Sequence, residues 1–164
     1  MHATVTDTRG ARAARLRGLY AVTPDLADNV ELRERVDAAI TGGARAVQYR
    51  NKTATRERRA LQARLLAELC RSRDVLYIVN DDVELAAEVG ADGVHLGRDD
   101  GDPNVARLIL GPGPVIGVFV TRGVGRWPYA HLATAQRRLS RRVGAPAWLH
   151  GANAVRVRRI LCYA

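Results

Sequence analysis

Two apolar segments of this 164-residue chain end in acidic residues that could hold a divalent cation. Residues 76–79 (LYIV) are followed by Asn80, Asp81 and a further aspartate, and residues 93–96 (GVHL) are followed by the sequence GRDD, which ends at Asp100. Two carboxylates with a neighbouring amide favour Mg²⁺, which keeps several waters and usually shares its coordination sphere with a substrate phosphate. The residue types therefore indicate a magnesium site that would also receive a phosphorylated ligand.

The elements around these acids must bring them together for such a site to exist. Residues 76–79 and 93–96 have the apolar character of buried strands, and residues 83–89 between them have a helical pattern with Asp81 or Asp82 as N-cap. A strand, helix, strand unit makes the two strands parallel, so both chains leave the sheet at the same edge, about 4.8 Å apart. Asp81 and Asp100 can then reach one point. The alternative is that these acids only cap helices.

A second polar group follows an earlier strand. Residues 44–50 (ARAVQYR) are predicted to form a strand in which Gln48 and Arg50 share one face, and Lys52, the single lysine of the chain, follows just beyond its end. Arginine offers a planar fork for phosphate oxygens and lysine a point charge, so the pattern is typical of a polyanion site. A solvated strand end is the alternative interpretation.

Strands and helices alternate along the first two thirds of the chain. Residues 1–17 are interpreted as a flexible leader, residues 18–23 as the first strand, and residues 114–118 as the fifth. Two helices with apolar faces intervene; the first begins near Val30 and the second at Thr53 or Thr55. The side chains expected to form these faces are Val30, Val36, Ala39, Ile40, Leu61, Leu65, Leu66 and Leu69.

Repeated βα units of this kind give either an open doubly wound sheet or a (β/α)₈ (TIM) barrel. The glycine-rich G-x-G-x-x-G fingerprint is absent after the first strand, so the dinucleotide-binding open sheet has no support. We therefore predict the α/β class and an incomplete TIM barrel with five βα units. The 46 residues after the fifth strand are too few for three more units.

Charge divides the chain into two parts. Residues 1–102 carry 16 Lys and Arg against 17 Asp and Glu, whereas residues 103–164 carry 10 Arg and no acid, so the net charge of +9 arises at one end. A non-enzymatic nucleic-acid-binding role through this end is one hypothesis. The arginines follow no recognised motif, however, and a run of charge is more often merely solvated, so a nucleic-acid partner is not favoured.

Composition limits the cellular setting. No apolar run approaches the 18 or more residues needed to cross a membrane, and the N-terminus lacks the apolar region of a secretory signal, so a cytoplasmic location is expected. Cys70 and Cys162 are too far apart in sequence to suggest a metal-ligand or disulfide pattern. The oligomeric state is not predictable from these features.

Several phrases of residues 18–118 together resemble thiamine-phosphate synthase. They are LYAVT at 19–23, QYRNK at 48–52, NDD at 80–82, GADGVHLG at 90–97 with Asp100, and GPGPVIGV at 111–118. The resemblance implies a TIM barrel that joins hydroxymethylpyrimidine diphosphate to thiazole phosphate and releases diphosphate. It also implies roles for the polar residues: Gln48, Arg50, Lys52 and Asn80 would bind the pyrimidine diphosphate, and Asp81 and Asp100 would bind the Mg²⁺ cofactor. A thiazole tautomerase of the same fold is the alternative within this family.

The resemblance stops at the fifth strand. The family continues there with a G-[IV]-S phrase, and Phe119 occupies the serine position in this chain. Residues 119–164 are rich in Arg, Ala and Gly and lack the later family motifs, which suggests either a reading-frame change or a naturally divergent basic tail. On either interpretation we expect the thiazole-phosphate half of the site to be absent and the activity of this form to be low.

Overall fold

The computed structural model describes residues 8–97, 100–118 and 156–160. Helices and strands alternate from the first described residue to the fifth strand. In chain order the elements are α1 (Thr8–Arg15), β1 (Gly18–Val22), α2 (Asn29–Thr41), β2 (Ala44–Tyr49), α3 (Arg56–Ser72), β3 (Leu76–Asn80), α4 (Val83–Glu88), β4 (Gly93–Leu96), α5 (Pro103–Leu110), β5 (Val115–Val118) and β6 (Arg156–Ile160).

The strands form one sheet in the order β5-β4-β3-β2-β1-β6. Strands β1 to β5 are all parallel, with Val22 opposite Gln48 and Asn80 opposite His95 in the register. The predicted α/β class with five successive parallel strands is therefore confirmed. Because sequence neighbours pair side by side, the loops that follow β1 to β4 lie next to one another at the carboxyl edge of the sheet.

The helices α2 to α5 all cover one face of the sheet. Their buried residues, among them Leu32, Leu66, Leu85 and Ala106, pack in one cluster with the outward-facing strand residues, such as Val47. The opposite face carries a separate cluster that contains Tyr20, Val22, Ala46, Leu76 and Ile78. A doubly wound sheet has helices on both faces, whereas a TIM barrel has them on the outside only. The arrangement agrees with five units of a barrel that the described residues do not close.

Two helical faces differ from the prediction. Val30 is 67% exposed and Leu61 is 53% exposed, so neither belongs to the core. Leu32 takes the buried position in α2, and in α3 the buried Gln62 lies beside Leu66. The apolar pattern did not predict the burial of Gln62, because glutamine is polar. Its amide can be buried since it is hydrogen-bonded: it donates to the backbone oxygen of Leu26 and accepts from the hydroxyl of Tyr49.

Part of the N-terminal segment differs from the prediction of a flexible leader over residues 1–17, of which residues 1–7 lie outside the described residues. Thr8–Arg15 form helix α1, which two ion pairs attach to the amino-terminal edge of the sheet. Arg12 contacts Asp92 at 3.0 Å, and Arg15 contacts Asp74 at 2.7 Å. Sequence reasoning missed this helix because it lacks a continuous apolar face and depends on partners about 60 to 80 residues away.

A sixth strand lies in the basic tail, beyond the five predicted βα units. Strand β6 pairs antiparallel with β1, with Gly18 opposite Ile160 and Val22 opposite Arg156. The backbone groups on the free side of β1 pair with those of β6. Backbone pairing does not depend on side-chain type, so β6 can form without a strong apolar alternation in its sequence. The rest of the predicted basic tail, residues 119–155 and 161–164, and the sites of Asp99 and Phe119 lie outside the described residues.

Within the described residues, no helix is both long and apolar enough to cross a membrane.

Candidate functional site

The polar residues singled out in the sequence lie at the carboxyl edge of β1 to β4. Asp81, directly after β3, donates its backbone N–H to the carbonyl of His95 in β4 at 2.8 Å. Thr23, directly after β1, accepts from the Arg50 backbone N–H and donates to the Arg50 carbonyl, both at 2.9 Å. These contacts hold the strand ends together, so the side chains that follow them share one region.

Asp82, and not Asp81, is the N-cap of α4. Its carboxylate accepts from the backbone N–H of Leu85 at 2.9 Å. Asp81 has a φ of 65°, in the left-handed region that few non-glycine residues adopt and that costs on the order of 1–3 kcal/mol. Capping therefore does not account for Asp81, whose carboxylate lies among polar groups at the strand ends.

The carboxylates of Asp81 and Asp100 lie side by side. The Gly97 N–H donates to Asp100 Oδ2 at 3.0 Å. A side chain at Gly97 would place its Cβ 2.1 Å from Asp100 Oδ2 and 3.9 Å from Asp81 Oδ1, so Asp100 would have to move from its present position. This arrangement agrees with the prediction that two acids from neighbouring strand ends lie close together.

The electrostatics of this pair favour a cation. Burial raises the pKa of the Asp81 carboxyl above its usual range and the adjacent Asp100 raises it further, while the Lys52 ammonium and the Gly97 N–H lower it. Two neighbouring carboxylates with one ammonium, at 3.8 Å from Asp81, leave an excess of negative charge. Among the described residues, no group of three or more His, Cys, Asp or Glu side chains could hold a metal, and the acidic pair itself offers two carboxylates. That number suits Mg²⁺, which commonly takes one or two carboxylates and completes its sphere with water and phosphate.

Four side chains form a continuous line of hydrogen bonds that ends at this pair. The Tyr20 hydroxyl donates to Gln48 Oε1 at 2.9 Å, and Gln48 Nε2 donates to Asn80 Oδ1. Asn80 Nδ2 then donates to Asp81 Oδ2 at 2.5 Å. Gln48 and Asn80 thus lie on the face of the sheet opposite the helices. Asn80 contacts Asp81 directly, and Gln48 contacts it through Asn80.

The two cations lie next to this line. Arg50 Nη1 is 3.4 Å from both carboxylate oxygens of Asp25, and Lys52 has a mostly exposed side chain that faces Asp81. Asp25 Oδ1 also accepts the Lys52 backbone N–H at 2.8 Å, so one carboxylate orients the whole loop after β2. The structure therefore brings together all six predicted site residues: Gln48, Arg50, Lys52, Asn80, Asp81 and Asp100.

Three residues of this region were missed by sequence reasoning. Asp25 follows the end of β1, and that position was a usable signal because Arg50, Lys52, Asp81 and Asp100 also follow strands. Tyr20 lies on the same strand face as Gln48, which the alternation within β1 indicates. Arg59 lines a groove of about 550 Å³ with Asp81, and no sequence signal distinguishes it from the other arginines of α3.

Comparison with known proteins places the chain in one family. A model of the family described as thiamine monophosphate synthase matches residues 19–122, which include all six predicted site residues. The chain is 58% identical over 103 residues to the thiamine-phosphate synthase of Chromobacterium violaceum, which covers 63% of this chain and 50% of that protein. It is 48% identical over 116 residues to the thiamine-phosphate synthase of Aromatoleum aromaticum, covering 71% of this chain and 54% of that protein.

A solved structure gives the same result. The thiamine phosphate pyrophosphorylase from Pyrococcus furiosus superposes with a TM-score of 0.57 at 31% identity, covering 77% of this chain and 57% of that one. The chain thus spans about half the length of the curated relatives that it matches.

Proposed function

Since the chain belongs to the thiamine monophosphate synthase family, we propose that it binds hydroxymethylpyrimidine diphosphate at the ends of β2 to β4 for transfer to a thiazole phosphate. The products would be thiamine phosphate and diphosphate. The observation that carries this proposal is the convergence of two cations, two amides and two adjacent carboxylates from three strand ends. A diphosphate needs cations on one side and a carboxylate-bound metal on the other, and this edge of the sheet offers groups for both.

Each residue has a proposed task. Arg50 and Lys52 bind diphosphate oxygens, and Gln48 and Asn80 donate N–H groups to the same substrate. Asp81 and Asp100 hold a Mg²⁺ ion, which would supply positive charge to the departing diphosphate. The bond between the pyrimidine methylene carbon and the diphosphate oxygen breaks with its electron pair on oxygen, and the thiazole nitrogen donates the pair that forms the new C–N bond. The electrostatic demand therefore falls on the leaving group, where the cations lie.

Calorimetric titration of hydroxymethylpyrimidine diphosphate with and without Mg²⁺ tests the binding half of the proposal. We expect Mg²⁺ to strengthen binding by about tenfold or more, which corresponds to about 1.4 kcal/mol. Asp81→Asn and Asp100→Asn should each abolish this enhancement while leaving the weaker, metal-independent binding in place.

Asp82→Asn is the matched control. It removes a charge one position away, but asparagine is as good an N-cap as aspartate, so α4 keeps its cap and the Mg²⁺ enhancement should persist. Equal losses in EDTA and in Mg²⁺ for the Asp81 and Asp100 variants would mean that these acids have only a structural role. Binding that does not depend on metal in the unmodified chain would favour the tautomerase alternative.

A further inference from the structure

The hydrogen bonds from Tyr20 to Asp81 all run in one direction. Asn80 turns its Nδ2 toward Asp81 Oδ2, which accepts, and its Oδ1 away. Asn80 Oδ1 then requires a donor, which is Gln48 Nε2, and this orientation leaves Gln48 Oε1 facing Tyr20. The Tyr20 hydroxyl, which donates to Gln48 Oε1 at 2.9 Å, is the donor that completes the line.

Burial makes the Tyr20 end of this line important. Tyr20 is 7% exposed and Gln48 is 6% exposed, so water has little access to replace a lost hydrogen bond between them. Without the hydroxyl, Gln48 Oε1 would be a buried acceptor with no partner, which native proteins avoid. A half turn of the Gln48 amide would place its oxygen against Asn80 Oδ1, and a compensating turn of Asn80 would place an oxygen against Asp81.

The same polarity decides what the site offers a ligand. Each terminal amide has two N–H groups, and one on Gln48 and one on Asn80 are used within the line. In the part of the chain that the structure describes, neither amide nitrogen makes another hydrogen bond, so each retains one N–H. Each remaining N–H, like the Arg50 and Lys52 side chains, can donate a hydrogen bond to a phosphate oxygen or to a ring nitrogen of a pyrimidine.

We propose that Tyr20 is a positioning residue, whose hydroxyl fixes the orientation of the Gln48 and Asn80 amides and through them the Asp81 carboxylate. This inference rests on the proposed function for the identity of the ligand, but not for the orientation of the amides. The ring of Tyr20 packs with Val22, Ala46, Leu76 and Ile78, an apolar setting that phenylalanine would match. The hydroxyl therefore has a role separable from the packing of the ring.

The first test needs no ligand. In ¹⁵N–¹H spectra, Tyr20→Phe should shift the side-chain NH₂ signals of both Gln48 and Asn80, assigned by the Gln48→Glu and Asn80→Asp variants. Tyr49→Phe is the matched control, because Tyr49 is equally buried but its hydroxyl donates to Gln62 on the other face of the sheet. It should leave both signals in place. An unmoved Asn80 signal in Tyr20→Phe would overturn the proposal, whatever the chain binds.

The second test concerns the acidic pair. We expect Tyr20→Phe to weaken binding of Mn²⁺ alone, followed by electron paramagnetic resonance, and Mg²⁺-dependent binding of hydroxymethylpyrimidine diphosphate, each by about tenfold. Tyr49→Phe should lower the melting temperature without either loss. Equal losses in the two variants would mean that Tyr20 acts only through stability, which contradicts the proposal. An unmodified chain that fails to bind the pyrimidine diphosphate would refute the proposed function, while the NH₂ shifts would still decide the role of Tyr20.

Discussion

Strands β3 and β5 have similar apolar sequences, LYIVN and VIGV, but very different surroundings. Residues 76–79 of β3 are all buried, whereas no residue of β5 is buried and Val118 is 43% exposed. Strand β3 lies between β2 and β4, while β5 pairs with β4 alone among the described strands. Neighbours on both sides, and not residue type, therefore decide how fully a strand of this sheet is buried.

The helices repeat this difference. Helix α3 buries six residues against the sheet, whereas α5 buries Ala106 alone and leaves Leu108 84% exposed. The candidate site lies at the ends of β2 to β4, within the fully packed region, and the β5 end carries an apolar surface. Among the described residues, β2 to β4 thus form a fully packed region, whereas β5 and α5 leave apolar side chains exposed.

The largest expected effect concerns turnover. We expect this chain to form thiamine phosphate at least about a thousandfold below an ordinary enzyme rate of around 1 s⁻¹ or faster, because its family resemblance ends near β5. Thiamine phosphate formation can be followed by chromatography. A gene in which the reading frame after codon 118 is corrected to encode the G-[IV]-S phrase should restore activity. An ordinary rate from the present chain would refute the expectation that the thiazole-phosphate half of the site is absent.

Core truncation should separate the two regions by stability. Leu66→Ala removes a side chain with no exposed surface and should lower the free energy of unfolding by about 2–5 kcal/mol. Leu108→Ala makes the same chemical change on α5 and should stay within about 0.5 kcal/mol. Urea unfolding followed by circular dichroism measures both. Similar losses at the two positions would show that α5 is covered in solution.

Two glycine substitutions should separate an effect on substrate binding from an effect on strand pairing. Gly97→Ala places a methyl group against the Asp100 carboxylate. It should weaken Mg²⁺-dependent substrate binding about tenfold with little change in melting temperature. Gly93→Ala would bring its Cβ 2.3 Å from the Val115 carbonyl oxygen, so it should loosen the pairing of β4 with β5 and lower the melting temperature. A loss of binding without a loss of stability is the result that assigns Gly97 to the site.

The β5 edge should promote self-association. Val118→Lys introduces a charge on an edge strand and should reduce concentration-dependent light scattering severalfold, because charged edges disfavour pairing between chains. Val30→Lys is the matched control, since Val30 is an exposed valine on α2, away from this edge. An equal reduction by both variants would attribute the change to net charge and not to the edge.

The smallest effect is expected at Cys70, which lies in the fully packed region. Burial raises the pKa of its thiol from 9.0 to about 12. The folded state thus favours the neutral thiol, a contribution that is complete below pH 9 and is lost as the pH rises toward 12. In a Cys162→Ser background, thiol reagents should react slowly at pH 8 and rapidly in urea. Fast reaction without urea would show that this part of α3 opens readily.

Local patterns account for most of what could be predicted. The strands of residues 18–118, the caps at Thr55 and near Asp82, and the shared edge of Asp81 and Asp100 follow from period and pairing rules that operate over a few residues. The helix α1, the strand β6 and the pairing of Asp25 with Arg50 could not be predicted, because each depends on partners distant in sequence.

The sequence by itself determined the alternation of strands and helices, the residues of the candidate site and the family to which the chain belongs, because spacing carries that information directly. Only the tertiary structure decided which aspartate caps α4, the direction of the hydrogen bonds from Tyr20 to Asp81, and which apolar side chains remain exposed. The physical reason is that capping, amide orientation and burial depend on which atoms become neighbours. That arrangement follows from the packing of the whole sheet and not from any one segment.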